Sequence, residues 1–316
     1  MNNCPLCNKN NNKIVDKIYL KDLRKLYKKF IGFLSQDMYE NTSNEIEYLD
    51  KIYCNNCGLF FFSPSLIATE KYYSLLSKAI EYYPSSKDEF EYVSEYISKN
   101  DFVFEVGCGN GEFSKYINKN NYIGIDLNSD AIKKNKKKLN VIHSSIEEYS
   151  ENMNKKYDIV CAFQVLEHIL NPRDFIEKCI GLLKKDGLLI FSIPSYDSFL
   201  SNMSNHLLNL PPHHQTLWTD KTLINIQKIF SLKLINLYHE KIQDIHLSEY
   251  VRTLFREILR KFLPFPKKTV VIKKTLNEII VNKIASFLMK KTINIFNSNF
   301  FKGNGHTVTV IYKNTK

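Results

Sequence analysis

Three glycines at alternate positions, in the stretch VFEVGCGNGEF, have the spacing that most clearly suggests ligand chemistry. Gly107, Gly109 and Gly111 follow an apolar run and precede a segment expected to be helical. A glycine turn of this kind brings the backbone close to a nucleotide-like ligand. A pyrophosphate loop has a further glycine where Glu112 stands here, and a carboxylate at that place repels phosphate. The loop is therefore predicted to hold a ligand that has positive charge and no phosphate.

Acidic side chains lie at the ends of the first two predicted strands, on either side of this loop. Glu105 precedes the glycines, and Asp126 ends the next strand. An acidic residue at the second of these positions accepts hydrogen bonds from both hydroxyls of a ribose. Carboxylates also attract sulfonium and ammonium groups. S-adenosylmethionine has all of these groups, so the pattern predicts S-adenosylmethionine as the cofactor.

Four of the seven cysteines form two C-x-x-C pairs near the N-terminus. Cys4 and Cys7 form the first pair, and Cys54 and Cys57 form the second after 46 intervening residues. Two such turns supply the four thiolates of a tetrahedral zinc site. Nothing in the sequence indicates an oxidising compartment, and a redox motif needs only one pair beside a βαβ unit. We therefore expect a structural Zn²⁺ ion held by these four residues.

From about residue 99, short apolar strands alternate with helices that begin near Gly111, Ser129 and Pro172. The strands are predicted at 102–106, 122–126, 140–143, 157–163, 187–193, 231–239 and 305–313. Such alternation is typical of a mostly parallel sheet covered by helices on both faces, hence a doubly wound, Rossmann-like α/β fold. The predicted organisation is a zinc-ribbon module at 1–66, a helical linker at 67–98, the core at 99–240, a basic helical insertion at 241–304 and the final core strand at 305–316.

The formal net charge of +11 is concentrated in the C-terminal part of the chain. From residue 241 onward there are 15 Lys and Arg against 4 Asp and Glu, whereas residues 1–240 are neutral. A basic patch of this kind suits nucleic acid, an anionic membrane or a phosphorylated substrate, and a solvated helical face is the alternative. The insertion is equally compatible with a cover over the pocket or a dimer contact.

The sequence also predicts where the protein resides. Its apolar runs are shorter than the roughly 18 residues of a spanning helix. The N-terminal residues lack the pattern of a secretion signal. We expect a cytoplasmic protein, with peripheral contact at the inner face of the membrane through the basic insertion.

Residues 99–240 and 305–313 resemble a class I S-adenosylmethionine-dependent methyltransferase. FEVGCGNG is similar to the first motif of that family, IGIDLN to its second, and the segment from YDIVCAF to FSIPS to its fourth strand and the stretch after that strand. The resemblance implies a seven-stranded sheet with an antiparallel last strand. It also implies cofactor contacts from the three glycines to the methionine part, from Asp126 to ribose, from Ser145 near adenine, and from Glu105 and Gln164 beside the cofactor.

Histidines are the candidate bases for the methyl acceptor. The chain lacks the N/D-P-P-[YF] tetrapeptide that holds a planar nitrogen in related enzymes, so an oxygen or carbon acceptor is favoured. A hydroxyl acceptor needs a base, and histidine serves near neutral pH. His168 follows the fourth strand, and the stiff loop LNLPPHHQTLW carries His213 and His214. The alternatives are a hydrogen-bonded helical residue for the first and helix capping for the pair.

The zinc module, the core and the P-P-H-H loop together resemble enzymes that methylate sugars in surface-polysaccharide biosynthesis. The acceptor implied is a small molecule or glycan, nucleotide- or lipid-linked, and we favour O-methylation. C-methylation of a nucleotide-linked sugar is an alternative, although those enzymes usually have a further α/β domain. A zinc-containing RNA methyltransferase is the principal rival, against which stands the neutral charge of residues 1–240. A non-catalytic membrane-surface adaptor is the third alternative.

Overall fold

The computed structural model describes residues 3–32, 39–41, 46–79, 87–135, 138–152, 155–262, 271, 276–296 and 303–316. The expected helix break near Pro84 lies outside these residues. The strands are β1 Asn12–Tyr19, β2 Tyr39–Asn41, β3 Tyr48–Cys54, β4 Phe60–Ser63, β5 Leu66–Ala68, β6 Val103–Val106, β7 Tyr122–Asp126, β8 Val141–His143, β9 Tyr157–Phe163, β10 Leu183–Pro194, β11 Thr216–Leu217, β12 Leu232–Lys241 and β13 Asn304–Asn314. The helices are α1 Leu20–Ile31, α2 Glu70–Ala79, α3 Asp88–Ser94, α4 Ser129–Asn135, α5 Ile146–Asn152, α6 Pro172–Gly181, α7 Asp220–Phe230, α8 Asp244–Phe262 and α9 Leu276–Phe296.

The large sheet has seven strands in the order β12-β13-β10-β9-β6-β7-β8. In this order, the adjacent strands from β10 through β9, β6 and β7 to β8 run parallel to one another. Strand β13 is antiparallel to both β10 and β12. Every residue of β6 is buried, and so is nearly every residue of β9, as continuous apolar strands in a two-sided parallel sheet must be. The predicted α/β fold, with its antiparallel last strand, is confirmed.

Strand order reverses between β6 and β9, which lie side by side at the centre of this sheet. The chain passes from β6 to β7 and β8 on one side, then returns to β9 and β10 on the other. A crevice forms where two such connections part, outside the carboxyl ends of the strands. The glycine turn after β6, the end of β7 and the turn after β9 therefore share one edge.

The segment after the glycine turn differs from the sequence-based prediction. A helix was expected from Gly111, but residues Glu112–Tyr116 form a five-residue 3₁₀ helix. The following stretch INKNN is rich in asparagine, which competes for backbone hydrogen bonds and favours turns over helix. A second 3₁₀ turn, Lys119–Asn121, with Asn118 as its N-cap, leads directly into β7.

The N-terminal residues form a four-stranded sheet in the order β1-β3-β4-β11. Its last strand, β11, comes from the loop after β10, and Thr216 and Leu217 pair with Phe61 and Phe60 of β4. Trp218 follows this strand and is fully buried, with its indole N–H donated to Thr216 Oγ1 at 2.9 Å. The cysteine turns thus share one apolar core with the large sheet.

Helices α8 and α9 pack against each other between β12 and β13. Buried Glu278 of α9 lies 2.6 Å from a guanidinium nitrogen of Arg260 and 3.5 Å from one of Arg256, both on α8. Part of the basic charge therefore points inward. Within the part of the chain that the structure describes, no helix is both long and apolar enough to cross a bilayer.

Candidate active site

The glycine turn is fixed by backbone hydrogen bonds to the neighbouring strand. The amides of Gly107 and Cys108 both donate to the carbonyl of Ile125, at 2.8 and 2.9 Å. The φ angles at Gly107, Gly109 and Gly111 are +74°, +51° and +72°, in the left-handed region that favours glycine. A β-carbon at Gly107 would lie 2.4 Å from Val165 Cγ2. Glycine at Gly107 is thus required by both conformation and space.

Asp126, at the end of β7, connects this turn to the second strand. Its carboxylate accepts hydrogen bonds from the amides of Gly109 and Asn128, both at 2.7 Å. Burial raises the pKa of Asp126, while these two amides lower it. Each carboxylate oxygen keeps a second lone pair, as ribose hydroxyls would require. Asp126, the residue predicted to bind ribose, therefore lies at the crevice and contacts the glycine turn.

Glu105 lies beneath the turn, where its exposed fraction is only 2%. Its carboxyl accepts a hydrogen bond from the Tyr122 hydroxyl at 2.5 Å. Burial raises the pKa of Glu105 to about 8, although this hydrogen bond opposes the shift. This hydrogen bond joins a side chain of β6 to one of β7. The contact of Glu105 with the cofactor remains a prediction.

Gln164 begins the turn after β9 with a φ of +58°, and its amide N–H donates to the Ser192 carbonyl at 2.7 Å. Its side-chain amide donates to Glu89 Oε1 at 3.2 Å. Glu89, on α3, is buried, and Lys87 Nζ lies 3.8 Å from it. Sequence reasoning missed Glu89. The sequence pattern that could have identified Glu89 is its spacing: it lies four positions before Val93, on the face of the helix that is buried.

Ser145 occupies a helix terminus. Its hydroxyl accepts from the amide of Glu148 at 3.1 Å, and its own amide donates to the Glu148 carboxylate at 3.2 Å. This reciprocal pair is a capping box at the start of α5. Ser145 is near the carboxyl end of β8, at the same edge as the glycine turn, and its contact with adenine remains a prediction.

The three predicted histidines meet beyond the carboxyl end of β9. Their ring centroids lie 4.6 to 4.9 Å apart, although His168 is more than 40 residues from His213 and His214. Burial lowers the pKa of His168 to about 4, and it lowers the pKa of both others below the ordinary value. The imidazoles are therefore neutral near pH 7. Neither His213 nor His214 caps α7, because the N-cap is Thr219.

Glu167, which the sequence reasoning overlooked, lies within this histidine cluster with an exposed fraction of 2%. Burial raises the pKa of Glu167 to about 8. Its backbone carbonyl accepts from the amide of Gln215 at 2.8 Å, which holds the histidine loop against the turn after β9. The sequence feature that could have identified Glu167 is its position in LEHI, directly before His168.

The four N-terminal cysteines form a second cluster, with their sulfurs within 4.8 Å of one another. Sγ–Sγ distances are 3.6 Å from Cys4 to Cys57 and 3.5 Å from Cys7 to Cys54. Four thiolates at about 2.3 Å from one ion, in tetrahedral arrangement, are about 3.8 Å apart. The donor set and its spacing therefore fit Zn²⁺.

These features define a doubly wound α/β protein whose crevice suits a cationic ligand. A family model described as a methyltransferase domain matches residues 77–261, more than half of the chain. The chain therefore belongs to this methyltransferase family.

Curated relatives match part of the chain. A ubiquinone biosynthesis O-methyltransferase of Actinobacillus pleuropneumoniae is 31% identical over 103 residues, which cover 28% of this chain and 44% of the relative. The enzyme of the same name from Hydrogenovibrio crunogenus is 29% identical over 136 residues, covering 39% and 56%. The chain thus spans about half the length of these relatives. A solved SAM-dependent methyltransferase from Archaeoglobus fulgidus is similar with a TM-score of 0.47 at 21% identity, covering 77% of this chain and 99% of that one.

Gly107→Ala should destabilise the protein by about 2–4 kcal/mol, because it adds a contact with Val165 and strains a positive φ. The free energy of unfolding in urea measures the loss. The matched control is Gly181→Ala, where a β-carbon meets nothing within 4 Å, so the change should stay within about 1 kcal/mol of wild type. Adding Val165→Ala to Gly107→Ala should restore the steric part. Equal stabilities of both glycine variants would contradict this account.

Proposed function

We propose that the chain is an S-adenosylmethionine-dependent methyltransferase that methylates a hydroxyl oxygen of a sugar or glycan precursor in surface-polysaccharide biosynthesis. One observation carries the cofactor assignment. The crevice at the switch point is bordered by the carboxyl groups of Asp126 and Glu89, and its glycine turn is bound to Asp126. Although Lys87 lies 3.8 Å from Glu89, two carboxyls stand against one ammonium here, and this balance suits a sulfonium and an ammonium group better than a phosphate. The O-methyltransferases among the curated relatives support an oxygen acceptor.

One more carboxyl, that of Glu240, extends this acidic border. Glu240, on β12, is buried, and its carboxyl accepts from the amide of Thr307 at 2.8 Å. Burial raises the pKa of Glu240 to about 7, and the nearby charge of Glu89 adds to the shift. A cation that enters beside Glu240 would relieve this repulsion, because an opposite charge favours the ionised carboxylate. These carboxyls favour a donor with fixed positive charge.

S-adenosylmethionine supplies an activated methyl group on its sulfonium. Methyl transfer to the acceptor would form the new C–O bond as the C–S bond breaks, with the bonding pair passing to sulfur and the hydroxyl proton passing to a base, for which the neutral imidazoles are the candidates. In this proposal Asp126 orients the ribose, and Gln164 and Glu89 border the methionine end. The histidine cluster lies on the acceptor side of the crevice, where His168, His213 and His214 would receive the hydroxyl. Positioning of this kind supplies much of the rate of an in-line displacement.

We also propose that Cys4, Cys7, Cys54 and Cys57 hold a structural Zn²⁺. The two turns are built alike: the amide of Asn8 donates to the Cys4 carbonyl at 2.9 Å, and that of Gly58 to the Cys54 carbonyl at 2.8 Å. Both Asn8 and Gly58 have positive φ. Turns formed in advance around four thiolates suit a closed, non-catalytic site.

Peripheral membrane contact is a further part of the proposal. The outer face of α9 exposes Ile280, Ile284 and Phe287, with exposed fractions of 43%, 40% and 60%. Lys283 and Lys290 are exposed on the same face. Apolar side chains among lysines suit the interface of an anionic bilayer. Such contact would bring a lipid-linked acceptor to the crevice.

Asp126→Ala should weaken S-adenosylmethionine binding at least about tenfold, because hydrogen bonds to charged groups contribute about 1.5–3 kcal/mol each. Isothermal calorimetry measures the change. Asp130→Ala is the control, since this aspartate is exposed and pairs with Lys133 at 3.1 Å. Heat with a nicotinamide nucleotide and none with S-adenosylmethionine would contradict the cofactor assignment.

The acceptor is tested with labelled S-adenosylmethionine and separate pools of nucleotide sugars, glycans and RNA. Label should enter a nucleotide-sugar or glycan pool and be stable as a methyl ether. Label that enters RNA alone would favour the RNA methyltransferase alternative, and a C-methyl product would identify a carbon acceptor.

Cys54→Ser should release the proposed zinc and lower the thermal stability, because the ion then has three thiolates. Metal content by mass spectrometry and the melting temperature measure both effects. Cys179→Ser is the control, because Cys179 is fully buried in the large core and does not belong to the group of four sulfurs. This variant should lower the melting temperature and leave the metal content unchanged. Equal metal content in the wild type and Cys54→Ser would overturn the zinc assignment.

Flotation with vesicles tests the membrane contact. Wild-type protein should float with vesicles containing anionic lipid and less with neutral ones, and salt should reduce the bound fraction. The double variant Ile284→Ser and Phe287→Ser should lose most of this binding. Ile224→Ser, which changes an isoleucine of similar exposure on α7, should keep it. Absence of wild-type flotation would remove membrane contact from the proposal.

A further inference from the structure

Three histidines converge beyond β9, and Glu167 lies beside two of them. Each of His168, His213 and His214 offers a ring nitrogen within 4.8 Å of the other two. Glu167 Oε1 lies 3.7 Å from His168 Nε2 and 3.9 Å from His214 Nε2. These separations are too long for hydrogen bonds. Two donors that bind one ion at about 2.1 Å in tetrahedral geometry are about 3.4 Å apart. The separations from Glu167 to His168 and His214 therefore need only a small contraction, and the imidazoles would turn towards the ion.

The hydrogen bonding of His168 determines which of its nitrogens is available. Its Nδ1 lies 2.7 Å from the backbone carbonyl of His213, which accepts only, so Nδ1 must carry the proton. The lone pair is therefore on Nε2, the atom that faces Glu167. A ring N–H donated to a backbone carbonyl is the usual outer support of a histidine that binds a metal.

Two atoms of the cluster are buried without a hydrogen-bond partner among the described residues. They are Glu167 Oε2 and His214 Nδ1, and the exposed fractions of the two residues are 2% and 5%. A buried carboxyl oxygen without a hydrogen-bond partner is costly, and such atoms are rare in folded proteins. A cation between the carboxylate and the imidazoles would satisfy the carboxylate.

The cluster is also held firmly. The backbone carbonyl of Glu167 accepts from the amide of Gln215, and the amides of His213 and His214 donate to the Leu210 carbonyl at 3.0 and 3.3 Å. β11 then binds the end of this loop to β4. Both parts of the donor set are thus fixed by backbone hydrogen bonds before any ion arrives.

We propose that Glu167, His168, His213 and His214 form a binding site for a divalent first-row transition-metal ion, separate from the cysteine site. Imidazole and carboxylate donors suit Zn²⁺, Fe²⁺ and related ions, whereas Mg²⁺ and Ca²⁺ prefer oxygen alone. An ion here would polarise an acceptor oxygen as a Lewis acid. That last role rests on the proposed methyl transfer, but the metal site itself does not.

Metal counting on the full-length protein tests the site without any activity assay. Protein stripped by a chelator is loaded with Co²⁺, and bound metal is measured by mass spectrometry and absorption. We expect two ions per chain, one with a sulfur-to-metal charge-transfer band and one without. Glu167→Gln and His168→Gln should each weaken binding of the second ion more than about 100-fold. This is more than the loss expected when a residue that only hydrogen-bonds to a metal ligand is changed. Both variants should keep the sulfur-bound ion, which reports that the chain has folded.

The controls make the same substitutions elsewhere. Glu278→Gln changes a buried carboxylate on α9, and His239→Gln changes a histidine that pairs with Asp220 at 2.9 Å. Both should bind two ions. A single sulfur-bound ion in the wild type, or a second ion that survives both site variants, would overturn the proposal. If the variants do not fold, X-ray absorption on the metal-loaded wild-type protein tests the site instead. We expect scattering from imidazole ligands, and a shell of sulfur ligands alone would refute the site.

Discussion

The backbone hydrogen bond from the Gln215 amide to the Glu167 carbonyl decides where the histidine loop lies. It joins the turn after β9 to the loop after β10, at the edge where the parallel strands end. The pairing of β11 with β4 extends the same restraint to the N-terminal sheet. Hydrogen bonds from Thr219 to the Gly58 carbonyl and from Asn225 to the Cys57 carbonyl connect the second cysteine turn to α7. The N-terminal residues therefore support the histidine loop, because a shift of the cysteine turn would move β4, β11 and the histidines with it.

The buried carboxyls have an electrostatic consequence that depends on pH. Burial raises the pKa of Glu105 from 4.5 to about 8, so the folded chain holds this proton more tightly than the unfolded chain does. Stability from this residue therefore falls as pH rises from about 4.5 towards 8, since ionisation then costs more in the fold. The same direction applies to Glu240, because burial raises its pKa to about 7. A cationic ligand offsets part of this cost, and binding to the native state alone stabilises the fold.

Local patterns in the sequence predicted the features that depend on local chemistry. The seven strands follow from apolar runs, and the glycine turn and Asp126 follow from their spacing around β6 and β7. The contact from Gln164 to Glu89 joins residues 75 positions apart, and no local pattern encodes it. The same holds for β11, a two-residue strand that exists only because β4 lies beside it. His168 and the pair His213 and His214 were predicted at separate places in the sequence, but their convergence with Glu167 depends on how two loops meet.

The basic insertion shows why net charge alone does not identify a partner. Arg256 and Arg260 contribute to the formal excess, yet both lie against Glu278 between α8 and α9 and are largely withdrawn from solvent. The accessible positive charge on α9 is instead that of lysines, next to Ile280, Ile284 and Phe287. An RNA surface would need charged and hydrogen-bonding groups without exposed aliphatic residues between them, since phosphate contacts dominate that affinity. Burial of the arginines and exposure of the aliphatic side chains are thus both more favourable to the proposed anionic bilayer than to RNA as the partner of this surface.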